Sequence, residues 1–290
     1  MRWQRARRSD NVEDAGSAGG GGMRLRGGRG LGLGGIAIVV VVALLMGEDP
    51  LQILGQMTQQ GTSVNPQQQS AMPTGTPEER EFVRAVLGDT EDTWRAIFQA
   101  AGRQYQDPKL VLFNGGVQSA CGFADSAVGP FYCPGDQKVY LDLDFFEEMA
   151  SRFQAAGDFA QAYVIAHEVG HHVQTLLGVS AKVNAARQRG ERVEGDNGLL
   201  VRQELQADCL AGVWAFHAQK RLDWLEPGDL EEALNAANAI GDDRLQRQTR
   251  GQVMPDSFTH GTSEQRVRWF KTGFEKGEVG RCDTFSVAKL

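Results

Sequence analysis

The sequence predicts an α+β fold, mostly helical with a small β-sheet, preceded by one N-terminal transmembrane helix. Three observations predict it. Apolar residues recur at spacings of three and four along residues 159–177 and again along residues 199–218, as on the buried face of a helix. Residues 111–113 and 138–143 are rich in β-branched and aromatic side chains, which is typical of short strands. Residues 30–47 carry no charge and include an unbroken apolar run.

The N-terminal part of the chain predicts a membrane anchor. Residues 1–29 form a glycine-rich basic tail, with seven arginines against three acids. At 1.5 Å per residue, residues 30–47 would extend about 27 Å, close to the ~30 Å thickness of a bilayer core. The arginine excess predicts a single-pass protein of the inner (plasma) membrane, with a cytoplasmic N-terminus and the main domain periplasmic or extracellular. A cleaved signal peptide is the alternative, although no small-x-small cleavage site follows the apolar run.

The rest of the chain predicts a linker and one compact domain. Residues 48–76 are rich in Gln, Pro, Ser and Thr, which is typical of a flexible linker. Residues 77–290 are enough chain to bury a single core, and they open with two predicted helices at 77–87 and 89–101. The net charge of −7 argues against nucleic acid as a partner.

The most informative motif is HEVGH at residues 167–171. In a helix, His167 and His171 lie one turn apart on the same face, close enough to bind one metal ion, which predicts Zn²⁺. Glu168 points about 100° around the helix from His167, so its carboxylate falls beside the ion as a general base. Gly170 costs about 1 kcal/mol against alanine inside a helix, which predicts a close approach by another backbone or by substrate. The alternative is two solvent-facing histidines on an amphipathic helix.

A catalytic zinc site has three protein ligands and one open position, so the chain must supply one more ligand. Glu204 and Asp208 lie four residues apart on one face of the predicted second helix. Glu204 would complete a His, His, Glu set, while Asp208 could accept the outer ring N–H of a ligating histidine and fix its tautomer. The alternative is that both are ordinary acids of a helix surface.

Four cysteines are typical of an oxidising compartment. Cys121 and Cys133 bracket a loop that contains Gly and Pro, and their pairing would leave Cys209 to pair with Cys282. Three pairings are possible, and the sequence does not distinguish them. Cys209 as a metal ligand is a competing hypothesis, but five residues after Glu204 it points about 140° away around the helix.

Five segments occur in a fixed order and together resemble the bacterial putative neutral zinc metallopeptidase family over residues 77–290. That family is similar to the gluzincins, in which the third ligand is a glutamate followed four residues later by an aspartate. The resemblance implies a zincin-like domain with zinc on His167, His171 and Glu204, Glu168 as the base, and Asp208 behind the ligands. The segments are GPFYCP at 129–134, QKVYLD at 137–142, HEVGHHVQ at 167–174, ELQADC at 204–209 and SFTHGTSEQR at 257–266.

The resemblance implies two further features. An edge strand above the active-site helix would bind an extended substrate as an added strand, and residues 138–143 are the candidate, with an internal strand as the alternative. His260 would approach the site and steady the oxyanion, with Arg266 as a structural tie. Thr262 and Gln265 form a capping-box pattern, so a purely structural loop is the alternative for His260.

The function predicted from the sequence is a membrane-anchored zinc-dependent peptidase acting on a peptide or protein substrate. A different class is also open, a catalytically latent zinc-containing binding or assembly factor of the cell envelope. A third possibility is a zinc-dependent amidase acting on cell-wall peptide. A structural zinc site would be closed by a fourth protein ligand, and the sequence offers no convincing one, which favours catalysis.

Overall fold

The computed structural model of the protein describes residues 1–17, 74–125 and 128–290. The predicted span at residues 30–47 and most of the predicted linker lie outside the described residues. Among the residues that are described, none of the helices has the length and apolar character needed to cross a membrane.

Helices dominate the described residues, as the sequence predicts. Helix α1 begins with a capping box between Thr76 and Glu79, and α8 begins with the predicted capping box between Thr262 and Gln265. The helices are α1 (Pro77–Ala100), α2 (Asp144–Ser151), α3 (Asp158–Leu176), α4 (Val179–Gln188), α5 (Leu199–Leu222), α6 (Asp229–Ala239), α7 (Asp242–Arg250) and α8 (Ser263–Lys276).

Helix α1 is continuous through Gly88, where the sequence predicted two helices. A Cβ at Gly88 would lie 2.5 Å from the carbonyl oxygen of Arg7. The backbone N–H of Ser9 donates to the carbonyl of Arg84 at 2.9 Å, one turn earlier on the same helix. The glycine therefore makes room for the N-terminal segment to cross the helix, and it does not interrupt the helix.

The small sheet has four strands in the order β1 (Val12–Ser17), β2 (Lys109–Asn114), β6 (Lys138–Asp142) and β5 (Phe131–Cys133). Strands β1, β2 and β6 run parallel, while β5 pairs antiparallel with β6. Strands β3 (Gly116–Ser119) and β4 (Gly122–Asp125) form a separate antiparallel hairpin.

The edge strand beside α3 is β5, and the prediction that residues 138–143 form it is wrong. Strand β6 lies inside the sheet, hydrogen-bonded to β2 on one side and to β5 on the other. With only three residues, β5 is too short to show the alternation by which a strand is recognised in a sequence. The alternative of an internal strand for residues 138–143 is therefore the correct one.

Residues 1–17 differ from the predicted separate tail, because they pack into the same compact unit as residues 74–290. Strand β1 extends the sheet beside β2. Two of the arginines that predicted a cytoplasmic tail pair with acids of α1: Arg7 with Glu91 at 2.5 Å and Arg8 with Glu81 at 3.0 Å. Because paired strands lie on the same side of any membrane, a single crossing at residues 30–47 would separate β1 from β2.

Two disulfides tie loops to this framework. Cys121 pairs with Cys133, which joins the turn of the β3–β4 hairpin to β5, and Cys209 pairs with Cys282, which joins α5 to the C-terminal segment. The sequence allowed three pairings of the four cysteines, and the structure has the one in which Cys121 pairs with Cys133. Cys209 is thereby used in a disulfide, which removes it from the possible metal ligands.

Candidate metal centre

Helices α3 and α5 bring three potential metal ligands together. Nε2 of His167 lies 3.2 Å from Oε2 of Glu204, and Nε2 of His171 lies 3.4 Å from Oε1 of the same carboxylate. The ligand atoms of the three residues all lie within 4.8 Å of one another. Two imidazole nitrogens and one carboxylate fit the donor set of a zinc site with one open position.

A close helix crossing at Gly170 sets this distance. A Cβ at Gly170 would lie 3.0 Å from the carbonyl oxygen of Ala207 on α5. Glu204 is three residues before Ala207, one turn along the same helix, so the crossing brings its carboxylate within reach of both histidines. The predicted close approach of another backbone at Gly170 is confirmed.

Asp208 orients the His167 ring. Because a carboxylate can only accept, Nδ1–H of His167 donates to Oδ1 of Asp208, at 2.8 Å. The proton on Nδ1 leaves the lone pair of Nε2 facing Glu204. Asp208 also accepts the hydroxyl of Tyr163 at 2.5 Å.

Arg266 of α8 keeps this buried carboxylate ionised. Its Nε and Nη2 each donate to one oxygen of Asp208 at 2.9 Å. Burial raises the pKa of Asp208, but the charge of Arg266 and the hydrogen bonds from His167 and Arg266 outweigh burial and lower the pKa to about 2. Arg266 therefore contacts the site through Asp208, as the predicted structural tie requires.

Gln174 orients the His171 ring, and the sequence reasoning missed this residue. Nδ1–H of His171 donates to Oε1 of Gln174 at 2.9 Å. The amide nitrogen of Gln174 donates to the carbonyl of Gln203 at 2.7 Å and to Oε1 of Gln206 at 3.0 Å, which fixes the direction of the amide. Each of the two candidate histidine ligands thus donates its Nδ1–H to a neighbouring side chain, Asp208 for His167 and Gln174 for His171. The signal available in the sequence was the three-residue spacing from His171 to Gln174.

Glu168 lines the same cleft and is only 8 % exposed. Burial raises the pKa of its carboxyl, and the neighbouring histidines, which lower the pKa, only partly offset burial. A carboxylate with a raised pKa accepts a proton more readily than an ordinary one and can later return it. This position and this pKa suit a general base.

His260 reaches the cleft from the loop before α8. Asp242, the first residue of α7, accepts the backbone N–H of His260 at 2.6 Å, and Nδ1 of the imidazole lies 3.2 Å from the same carboxylate. Burial lowers the pKa of His260, but the bond to Asp242 and the charge of Glu204 raise it above its usual value. The side chain is 52 % exposed, so the ring is open to an incoming ligand.

One cleft of about 500 Å³ holds these groups, a volume typical of small-molecule and peptide subsites. Phe131 and Tyr132 of the edge strand β5 also line it. The Tyr132 hydroxyl donates to Nδ1 of His172 at 3.1 Å, while Nε2–H of His172 donates to the carbonyl of Gln106 at 2.7 Å. His172 therefore links the edge strand to α3, the helix that carries both histidine ligands.

One family model and several known proteins match this chain over most of its length. A family model described as putative neutral zinc metallopeptidase matches residues 1–285. The chain is 50 % identical over 291 residues to the uncharacterized protein YpfJ of Escherichia coli K12, covering 98 % of this chain and 99 % of that protein. It is 42 % identical over 260 residues to the uncharacterized proteins Mb2605 of Mycobacterium bovis and Rv2575 of Mycobacterium tuberculosis H37Rv, covering 86 % of each chain. No solved structure matches it.

Proposed function

Because the chain belongs to the neutral zinc metallopeptidase family, we propose that it is a zinc-dependent peptidase whose metal is held by His167, His171 and Glu204. The convergence of these three ligands with Glu168 in one cleft supports this most directly. Zinc, when bound, polarises a peptide carbonyl and makes a water molecule more acidic. The remaining tasks fall to residues of the chain.

Glu168 moves the proton. Its carboxylate accepts the proton of the attacking water and delivers it to the nitrogen of the leaving amine. The raised pKa of Glu168 supports both transfers, since a base that binds a proton too weakly cannot carry it between the two steps.

His260 stabilises the negative charge that develops on the carbonyl oxygen of the substrate. A protonated imidazole in the cleft can donate a hydrogen bond to that oxygen. Asp242 holds the ring in place through the backbone and Nδ1 bonds described above. Arg266 acts indirectly. It hydrogen-bonds Asp208, and Asp208 orients the ring of His167.

The substrate backbone binds as an added strand along β5. This strand ends the four-stranded sheet on the side of α3, and Phe131 and Tyr132 line the cleft that contains the ligands. An extended peptide paired with such an edge gains main-chain hydrogen bonds while its side chains enter the cleft. In this binding mode the scissile bond lies beside the carboxylate of Glu168.

The domain works outside the cytoplasm. Two disulfides support this, because cytosolic thiols are kept reduced. The pairing of β1 with β2 supports the same compartment for residues 1–17. We therefore propose that the whole described unit is periplasmic or extracellular.

The test compares the full chain with its Glu168→Gln variant, with Glu147→Gln on the exposed face of α2 as a matched control. Zinc content is measured by mass spectrometry, and cleavage is measured on an unfolded protein. Zinc in all three proteins with cleavage by the wild type and the control alone supports the peptidase. Zinc in all three without cleavage by the wild type supports the latent binding or assembly factor, and the absence of zinc rejects the site.

A further inference from the structure

We propose that the cleft selects peptides with a large apolar side chain next to the scissile bond. This inference rests on the proposed peptidase function and names its substrate class. It follows from how the walls of the cleft are divided around the metal ligands.

One wall of the cleft is apolar. Phe145 of α2, Phe153 just after α2, and Val164 of α3 all line it, and these three residues are called the apolar wall below. Val164 is four residues before Glu168, so its side chain lies one turn away on the same face of α3. Phe145 and Phe153 are half-buried, so part of each ring is left uncovered by the core. An apolar surface thus begins directly beside the base.

The other end of the cleft is polar and uncharged. Ser180 and Asn184 of α4 and Gln203 of α5 line it. The hydroxyls of Ser180 and Thr175 lie 3.2 Å apart, and Thr175 is one turn beyond His171 on α3. Val164 of α3 and Ser180 of α4 therefore lie on opposite sides of the ligands, so a substrate that crosses the site meets the apolar wall on one side and these polar side chains on the other.

Each charged group that lines the cleft already has a partner or a role in the proposed mechanism. Apart from tyrosine hydroxyls, the ionisable groups among the described lining residues are the three candidate metal ligands and the side chains of Glu168, His260 and Arg266. Arg266 is neutralised by Asp208. Arg152, whose guanidinium lies 5.7 Å from the centre of the Phe153 ring, is already paired with Glu148 at 3.1 Å. A charged substrate side chain on the apolar wall would therefore lose its hydration without gaining a free counter-ion among the described residues. A leucine or phenylalanine side chain would instead cover the exposed parts of Phe145 and Phe153.

The first experiment maps cleavage sites made by the zinc-loaded full chain in a digest of unfolded proteins. We expect Leu, Ile, Met and Phe to be enriched at one of the two positions that flank the scissile bond. Matched peptides that differ only there should then differ in kcat/KM by about tenfold or more between Leu and Ala. Equal rates, or a preference for a charged residue, would overturn the proposal.

Variants of the wall locate the preference. Phe145→Ala and Phe153→Ala should each lower the Leu-to-Ala ratio of kcat/KM at least several-fold, with zinc content unchanged. A further matched peptide carries Lys at the same position. Phe153→Glu should raise its cleavage relative to that of the Leu peptide, which a merely structural role would not do. The matched control is Phe123→Ala, which removes a ring that is 70 % exposed on β4 and should leave the ratio unchanged. A wild-type ratio in all the wall variants would overturn the proposal.

A second measurement separates this inference from the peptidase function. Glu168→Gln protein loaded with zinc is titrated with fluorescent Leu and Asp versions of the same peptide, and binding is followed by anisotropy. Tighter binding of the Leu peptide supports the apolar wall even if the wild type cleaves nothing, in which case the peptidase function alone fails. Equal binding of the two peptides, with cleavage intact, leaves the peptidase function in place and rejects the substrate class.

Discussion

Arg266 holds Asp208 through two hydrogen bonds of 2.9 Å, and Asp208 in turn holds His167 at 2.8 Å. Asp208 is fully buried, and Arg266 is almost so. A buried charge without its partner is strongly destabilising, so α8 and the metal centre on α3 and α5 depend on each other. The last long helix of the chain is thus part of the site, although it supplies no metal ligand.

Asp208→Asn is expected to lower zinc affinity by about 10- to 100-fold, because a neutral amide holds the Nδ1 proton of His167 less strongly and leaves Arg266 unpaired. Zinc affinity is measured by competition with a chromophoric chelator. Asp10→Asn is the matched control, since Asp10 is 98 % exposed and its one ion pair within the described part of the chain is with Arg84 at the surface. Equal zinc affinity in the two variants would contradict a role for Asp208 in orienting the ligand.

Gln174→Met is expected to weaken zinc binding by a factor of about ten or more, because His171 loses the acceptor for its Nδ1 proton. The same chelator competition measures it. Gln161→Met changes a glutamine earlier on α3, outside the metal centre, and serves as the control. If both variants bind zinc like the wild type, the bond from His171 to Gln174 does not tune the site.

The candidate metal-centre residues could be predicted in two pairs, because helix periodicity relates the two members of each pair. His167 with His171, and Glu204 with Asp208, are each four residues apart, so each pair shares a face before any tertiary contact is known. Gln174 lay on that face too, but its role depends on acceptors in another helix, Gln203 and Gln206, which lie about one and two turns into α5. No spacing within one helix contains that information.

The sheet was harder to predict, for a different physical reason. Strand β1 has the sequence VEDAGS, with two acids and a glycine, and it gains its place from the hydrogen bonds of β2 and from ion pairs such as that of Lys138 with Glu13, at 2.7 Å. Such non-local pairing overrides weak local propensity. The same holds for β5, whose three residues are defined by β6 and by the disulfide of Cys133.

Tyr132→Phe is expected to raise KM for extended peptides by about 2- to 10-fold, the worth of one hydrogen bond, with kcat and zinc content close to wild type. The hydroxyl of Tyr132 attaches the edge strand to His172, so its loss loosens the strand on which the substrate is proposed to pair. Steady-state kinetics on one peptide series measures the change.

Tyr105→Phe is the control for this experiment. The Tyr105 ring packs against the same His172 at 5.7 Å between centroids, but its buried hydroxyl has no hydrogen-bond partner among the described residues. Its removal should leave KM unchanged. Equal increases in KM for the two variants would show that packing around His172, and not the Tyr132 bond, positions the strand.

Asp242→Asn is expected to lower the free energy of unfolding by about 1–2 kcal/mol at pH 7, because Asp242 accepts the backbone N–H groups of Thr259, His260 and Gly261. Burial raises the pKa of Asp242, but these bonds and His260 outweigh it and lower the pKa. A lowered pKa gives stability that is present above the unfolded pKa of about 3.9 and is lost as the pH falls through the folded value. Urea unfolding from pH 7 to pH 3 should show the gap between wild type and variant closing, and a constant gap would contradict this.

The pairing of β1 with β2 predicts that residues 1–17 and 74–290 face the same compartment in the cell. All four cysteines are in disulfides, so a single introduced thiol can be labelled selectively. We expect exposed thiols made by Asp10→Cys near β1 and by Arg189→Cys after α4 to react equally with a membrane-impermeant maleimide on intact cells. Reaction of both only after the cells are opened would place the whole unit in the cytoplasm. Reaction of Arg189→Cys alone would mean that a crossing at residues 30–47 separates the two segments and that β1 does not join this sheet.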